Sequence, residues 1–374
     1  MSAGSRLRVA LVCPSLRAGG LEKMVADLAL ELLERGFEPG VFGLTGLGVY
    51  AASLEARGIA LFDAKEQGRR LRGIPRPLIR QLRAFRPHVI HAHSGTWYPA
   101  AVARLALRSP RLVFTDHGRY LPEPAGRLLV ERFLAAITDA VVAVTGSLAQ
   151  YVRDSLGIEV RVIPNGIDMA RYHAIDPAAR GRLRDEWGVG DDEPLLIVVG
   201  RFFAVKNHAG VLRAFARLVT DYPRAKLVLV GSGPLLDEVR QQAAALALDD
   251  RVLFTGFRAD VPECLSAADI WINASFTEAL PVAMLEAMAA GVPIVATAVG
   301  GVPETLGDPP AALLAPPGDI AALEAALRRL LDDPALGTAN AARARALAQR
   351  YTLAAMADGY AALYRNVTQN QDAP

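Results

Sequence analysis

Four side chains in the second half of the chain have the types and spacing to grip an anionic, hydroxyl-rich ligand: Arg201 and Lys206 in GRFFAVKNH, and Glu278 and Glu286 in FTEALPVAMLEAMAAGVPIVAT. Arg201 can fork two hydrogen bonds to a phosphate, and Lys206 adds a compact mobile charge. Together they could neutralise a diphosphate without a metal ion. The sequence has no D-x-D pair, its six histidines are not spaced as ligands, and no metal site is expected. Glu286 is the single charge in a stretch of small and apolar residues that reads as a helix, with Pro281 suited to its first turn and Gly291 to its end. A carboxylate there must find a partner, because burying it unpaired is costly. Sugar hydroxyls would satisfy it, and so would a neighbouring arginine in a purely structural role. The amides of Ala279 and Leu280, at the same helix start, would offer donors to an anion.

The elements needed to position these groups follow a repeated rhythm: a short β-branched apolar run, a turn, then an Ala/Leu-rich amphipathic segment. Such a rhythm predicts parallel sheets with helices on both faces, an α/β chain. Candidate strands are RVALVC (8 to 13), PGVFGL (39 to 44), VIHAH (89 to 93), LVFT (112 to 115), AVVAVT (140 to 145) and VRVIP (160 to 164) in the first half. The second half offers LLIVVG (195 to 200), KLVLVG (226 to 231), RVLFTG (251 to 256), DIWINA (269 to 274) and VPIVAT (292 to 297). Arg201 and Lys206 then follow the first strand of the second set, at the strand end where open α/β sheets bind ligands. A polar stretch near 170 to 193 separates the sets, so two Rossmann-like domains are expected, residues 1 to 180 and 190 to 350. A helix at about 352 to 370 is expected to pack back on the first domain.

Length agrees, since 374 residues exceed one typical domain. No apolar run is long enough to span a bilayer, and the two cysteines, Cys13 and Cys264, suit a reducing compartment. A cytoplasmic protein is expected. The net charge of +2 hides an asymmetry, with 22 basic and 15 acidic side chains up to residue 170 and 19 against 24 beyond it. Much of the excess sits at Arg69, Arg70, Arg72, Arg76, Arg80, Arg83 and Arg86, interleaved with leucine and isoleucine. That stretch, 69 to 86, reads either as a solvated helix face or as a peripheral contact with the inner face of a membrane. No nucleic-acid module accompanies it, so nucleic acid is not an expected partner.

Jointly, the E-x7-E of Glu278 and Glu286, the Arg-x4-Lys of Arg201 and Lys206, GSGP at 231 to 234, PNGID at 164 to 168 and the early Gly19-Gly20 resemble the retaining glycosyltransferases of the GT-B fold, family 4. The resemblance runs from Gly19 to the final helix. It implies two Rossmann-like domains facing each other across a cleft, and a nucleotide-sugar donor, UDP- or GDP-linked, used without a cofactor. It further implies that Glu278 contacts donor-sugar hydroxyls, Glu286 the ribose, and Arg201 with Lys206 the diphosphate. Gly19, Gly20 and Gly233 would lie close to the donor, Phe257 and Arg258 would border its base, and His117 would sit near the sugar. His91 and His93, alternating on one strand, read as packing residues, and Asn165 as a turn residue. The acceptor would be a hydroxyl of a glycan or lipid-linked precursor. A nucleotide-sugar epimerase or hydrolase, a dehydrogenase and a non-catalytic sugar-nucleotide sensor remain as other readings. The missing G-x-G-x-x-G weighs against the dehydrogenase.

Overall fold

The computed structural model describes residues 6–64, 73–118 and 126–369. The chain divides into two compact units, one made of residues 1–166 with 353–374 and the other of residues 167–352. Among the described residues the first unit holds seven parallel strands: β1 (Arg8–Cys13), β2 (Glu38–Gly43), β3 (Ala60–Asp63), β4 (Val89–His93), β5 (Arg111–Asp116), β6 (Ala140–Ala143) and β7 (Arg161–Val162), in the order β3-β2-β1-β4-β5-β6-β7. Burial on both faces of the sheet explains why β1 is apolar from Val9 to Cys13. Val9, Leu11 and Cys13 face a core shared with helices Gly20–Glu34 and Leu353–Gln369, while Ala10 and Val12 face the opposite core. Tyr360 and Tyr364 of the last helix are fully buried there, so this segment completes the first unit.

The second unit has six parallel strands: β8 (Leu195–Val199), β9 (Lys226–Val230), β10 (Val252–Gly256), β11 (Ile270–Asn273), β12 (Ile294–Thr297) and β13 (Leu313–Ala315), in the order β10-β9-β8-β11-β12-β13. Here β8 lies between β9 and β11, so the chain runs β8-β9-β10 in one direction and then crosses back to continue β11-β12-β13 in the other. That is a topological switch point, the place where open α/β sheets form a ligand crevice.

The polar stretch expected to separate the domains belongs to the second unit instead, forming helices Met169–His173 and Ala179–Glu186. The cause is Arg184, only 1% exposed, which donates to the carbonyls of Ala267 at 3.0 Å and Gly190 at 2.6 Å. Arg180 adds a 2.7 Å ion pair to Asp269, whose other oxygen accepts from the Leu195 amide. Among the described residues no helix is long and apolar enough to cross a membrane.

Candidate active site

In the second unit, the loops after β8, β9, β11 and β12 converge around Lys206 and Glu278. Lys206 ends a short 3-10 turn, Ala204–Lys206, and Asn207 follows in the left-handed region at φ 52°. The Asn207 side chain holds that turn, accepting from the Gly210 amide at 3.1 Å and donating to the Ala274 carbonyl at 3.2 Å. The Phe276 amide donates to the Val205 carbonyl at 2.8 Å, which ties the β8 loop to the β11 loop. Held this way, Lys206 Nζ lies 2.5 Å from Glu278 Oε1, and the same carboxylate oxygen accepts from Ser275 Oγ at 2.7 Å. Thr297 supports the loop from below, donating to the Ser275 carbonyl at 2.6 Å.

Two glycines make this crowding possible. A Cβ on Gly300, at φ 50°, would lie 1.7 Å from the Glu278 carbonyl oxygen, and one on Gly231 would lie 2.0 Å from the Gly200 carbonyl oxygen. Gly233 matters through close approach as well, since a Cβ there would meet the Phe202 backbone at 2.6 Å. GSGP therefore acts as a backbone platform under the β8 loop.

Arg201 is exposed, makes no ion pair among the described residues, and sits 4.8 Å from the centre of the Phe203 ring. Its guanidinium is available to an anion. Glu286 is buried in helix Val282–Ala290, which Pro281 caps and Gly291, at φ 72°, ends. Ala279 and Leu280 are buried and lie immediately before Pro281, at the start of that helix. Phe257 is 45% exposed beyond β10. Arg258 beside it is already engaged, gripping Asp260 through two hydrogen bonds of 2.8 and 2.6 Å and Glu186 through one of 2.7 Å. Those bonds push its pKa further up.

In the first unit, Gly19 precedes helix Gly20–Glu34, whose first residue is Gly20. His117 follows β5 and lies 3.0 Å from His93, Nε2 to Nδ1. The His93 ring packs 3.9 Å from that of His91, and His91 bridges Tyr364 Oη at 2.6 Å and Thr115 Oγ1 at 2.7 Å. Thr115 is in turn 3.0 Å from Tyr360 Oη. Burial holds all three rings neutral: it lowers the pKa of His117 to about 3, opposed by Asn165, and pushes His91 and His93 well below the usual histidine value. Asn165 is buried beside His117 rather than serving only as a turn residue. The tyrosines are the part of this cluster that the sequence reading missed. Their i, i+4 spacing on one face of an amphipathic helix was the available signal.

Paired cationic and acidic groups at a switch point, in a chain of two Rossmann-like units, suit an anionic, hydroxyl-bearing ligand. The profile described as Glycosyltransferase Family 4 matches residues 18–171, and that described as Glycosyl transferases group 1 matches residues 179–349. A D-inositol 3-phosphate glycosyltransferase of Kineococcus radiotolerans is 30% identical over 407 aligned positions, covering 95% of this chain and 92% of that protein. An N-acetyl-alpha-D-glucosaminyl L-malate synthase of Bacillus anthracis is 33% identical over 241 positions, 63% of this chain and 62% of that protein's length. Among solved structures, Anabaena Alr3699/HepE in complex with UDP-glucose superposes with a TM-score of 0.84 at 24% identity, covering 96% of this chain and 100% of that one. The chain belongs to the family 4, group 1 glycosyltransferases.

Proposed function

We propose that this glycosyltransferase moves a hexosyl unit from a nucleotide-diphosphate sugar, UDP- or GDP-linked, to a hydroxyl acceptor of a glycan or lipid-linked precursor in the cytoplasm, with retention of anomeric configuration and without a metal or cofactor. The observation that carries the reading is the Lys206–Glu278 pair in the loop at the carboxyl end of β8, the same loop from which Arg201 stands exposed with no ion pair among the described residues. Without donor, Lys206 spends its charge on Glu278. An arriving diphosphate would draw Lys206 away and leave the carboxylate to accept from sugar hydroxyls. As the glycosidic bond breaks, negative charge builds on the departing phosphate, and Arg201 with Lys206 would stabilise it. The departing phosphate oxygen would take the acceptor's proton on the same face, so no separate base is needed. His117, neutral at ordinary pH, would serve as a hydrogen-bonding group for the sugar rather than as an acid. Glu286 would bind the ribose, Phe257 and the Arg258 backbone would border the base, and Gly19, Gly20, Gly233 and the segment at Ala279 and Leu280 would let backbone approach the donor.

A panel of nucleotide sugars, read for released nucleotide and for glycosylated product, tests the reading. Release with product is expected from one or a few donors. Tight donor binding with no turnover on any acceptor would make the chain a sensor, and release with water as the sole acceptor would make it a hydrolase.

A further inference from the structure

Helices Arg76–Phe85, Trp97–Leu107 and Arg127–Ala136 lie side by side on one face of the first sheet, with Leu78, Leu82, Ala100, Ala101, Leu134 and Ala135 turned into the core that Ala10 and Val12 also face. Their outward side is unusual. In helix Arg127–Ala136, Leu129 is 76% exposed, Phe133 62%, Val130 49% and Leu128 38%, although the opposite side of the same helix is buried. A helix normally turns its large apolar residues to cover and its polar ones to water, and this one leaves Leu128, Leu129, Val130 and Phe133 uncovered beside the exposed Arg132. Its single carboxylate, Glu131, is buried and ion-paired with Arg127 at 2.7 Å, so it puts no free negative charge on the outer face. The neighbouring helices contribute the exposed Leu105 and, just before Arg76, the exposed Ile74. Charge on the layer has one sign. From Glu66 to Asp116 the chain has ten arginines and no acidic residue between them, and Arg76, Arg80, Arg83, Arg108 and Arg132 stand exposed.

Exposed apolar side chains flanked by unopposed arginines fit an anionic lipid surface. Phenylalanine, leucine and valine enter the boundary between headgroup and acyl chain, and arginines meet lipid phosphates. Ten residues of helix are too few to span a bilayer, so the contact is peripheral. We propose that this three-helix face docks on an anionic membrane, with Leu129, Val130 and Phe133 as the inserting residues and the arginines of the two preceding helices as the electrostatic contact. This moves the anchor from the 69 to 86 stretch alone, of which Arg69, Arg70 and Arg72 lie outside the described residues, to a helix that the sequence reading had not singled out. The docking is independent of the transfer chemistry.

The test is co-sedimentation of the full chain, without donor, on vesicles of mixed phosphatidylglycerol and phosphatidylcholine and on vesicles of phosphatidylcholine alone. Binding is expected on the anionic vesicles only, weakening as salt is raised. The double variant Leu129→Ser/Phe133→Ser should lose about tenfold or more of the partition, and Arg80→Gln/Arg83→Gln about fivefold per arginine. All four positions are solvent-facing or flank solvent-facing residues, and unchanged thermal melts would verify that the variants fold. Equal binding to neutral and anionic vesicles, no binding to either, or full retention by Leu129→Ser/Phe133→Ser would overturn the proposal. So would light scattering in which that double variant turns a self-associating chain into a monomer while vesicle binding persists, since the face would then join copies of the chain.

Discussion

At the strand ends of the first unit, His91, His93 and His117 are stripped of charge by burial and linked to Thr115, Tyr360 and Tyr364 through short hydrogen bonds. At the strand ends of the second, Lys206 and Glu278 form a 2.5 Å ion pair, and Arg201 is exposed beside the Phe203 ring. The same architecture thus makes one neutral polar wall and one charged loop cluster. Neutral groups can recognise hydroxyls without demanding a counter-ion, whereas fixed cations act where charge appears during reaction.

The contrast breaks most easily at Lys206. Lys206→Ala should lower turnover by about 10²- to 10³-fold, the effect of removing a positioned group that stabilises transition-state charge, with little change in the thermal melt. Steady-state kinetics on the accepted donor measure it, and wild-type turnover would remove the diphosphate role. Acid comes next. Because the folded pKa values of His91, His93 and His117 lie below the unfolded value, the unfolded chain binds more protons as pH falls below about 6.5. Stability is then level above that pH and declines towards pH 3, where His117 itself titrates, with a slope of up to about 1.4 kcal/mol per pH unit from each ring. The second unit has one comparable ring, His208, lowered to about 4 by burial. Hydrogen exchange followed from pH 7 to about 5 should show the first unit loosening first, and simultaneous loosening of both units would erase the distinction. The smallest effect is expected from Tyr364→Phe, which leaves His91 Nδ1 buried without its 2.6 Å partner. Denaturant titration should show a loss of about 1–3 kcal/mol, and an unchanged midpoint would mean that this hydrogen bond does not contribute to the fold.

Much of this contrast was visible in the sequence on the charged side and little of it on the neutral side. Arg201, Lys206, Glu278 and Glu286 are sequence-local, each within a strand–turn–helix unit whose apolar run and glycine punctuation are strong signals. The interior strands were legible for the same reason, since burial on both faces makes them continuously apolar. The edge strands β7 and β10 fall in the expected runs VRVIP and RVLFTG, whereas the edge strands β3 and β13, ALFD and LLA, were not legible, because their short runs carry no β-branched residue. The histidine cluster draws on β4, β5 and a helix more than two hundred residues later, a contact that no local pattern encodes. Arg184 misled for the opposite reason: charged residues usually mark a linker, and here one is buried as a staple.

The last helix has a consequence for the order in which the protein is made. Tyr360 and Tyr364 fill the first unit's core from residues that leave the ribosome after the entire second unit, which is complete at Thr352. Nascent chains usually settle domain by domain from the amino terminus. Here the later-encoded unit can close first, while the earlier one waits with an open apolar seam until residues 353 to 369 emerge. A message truncated before Leu353 is expected to yield a chain whose second unit has all its residues while the first lacks the core side chains of Met356, Tyr360 and Tyr364.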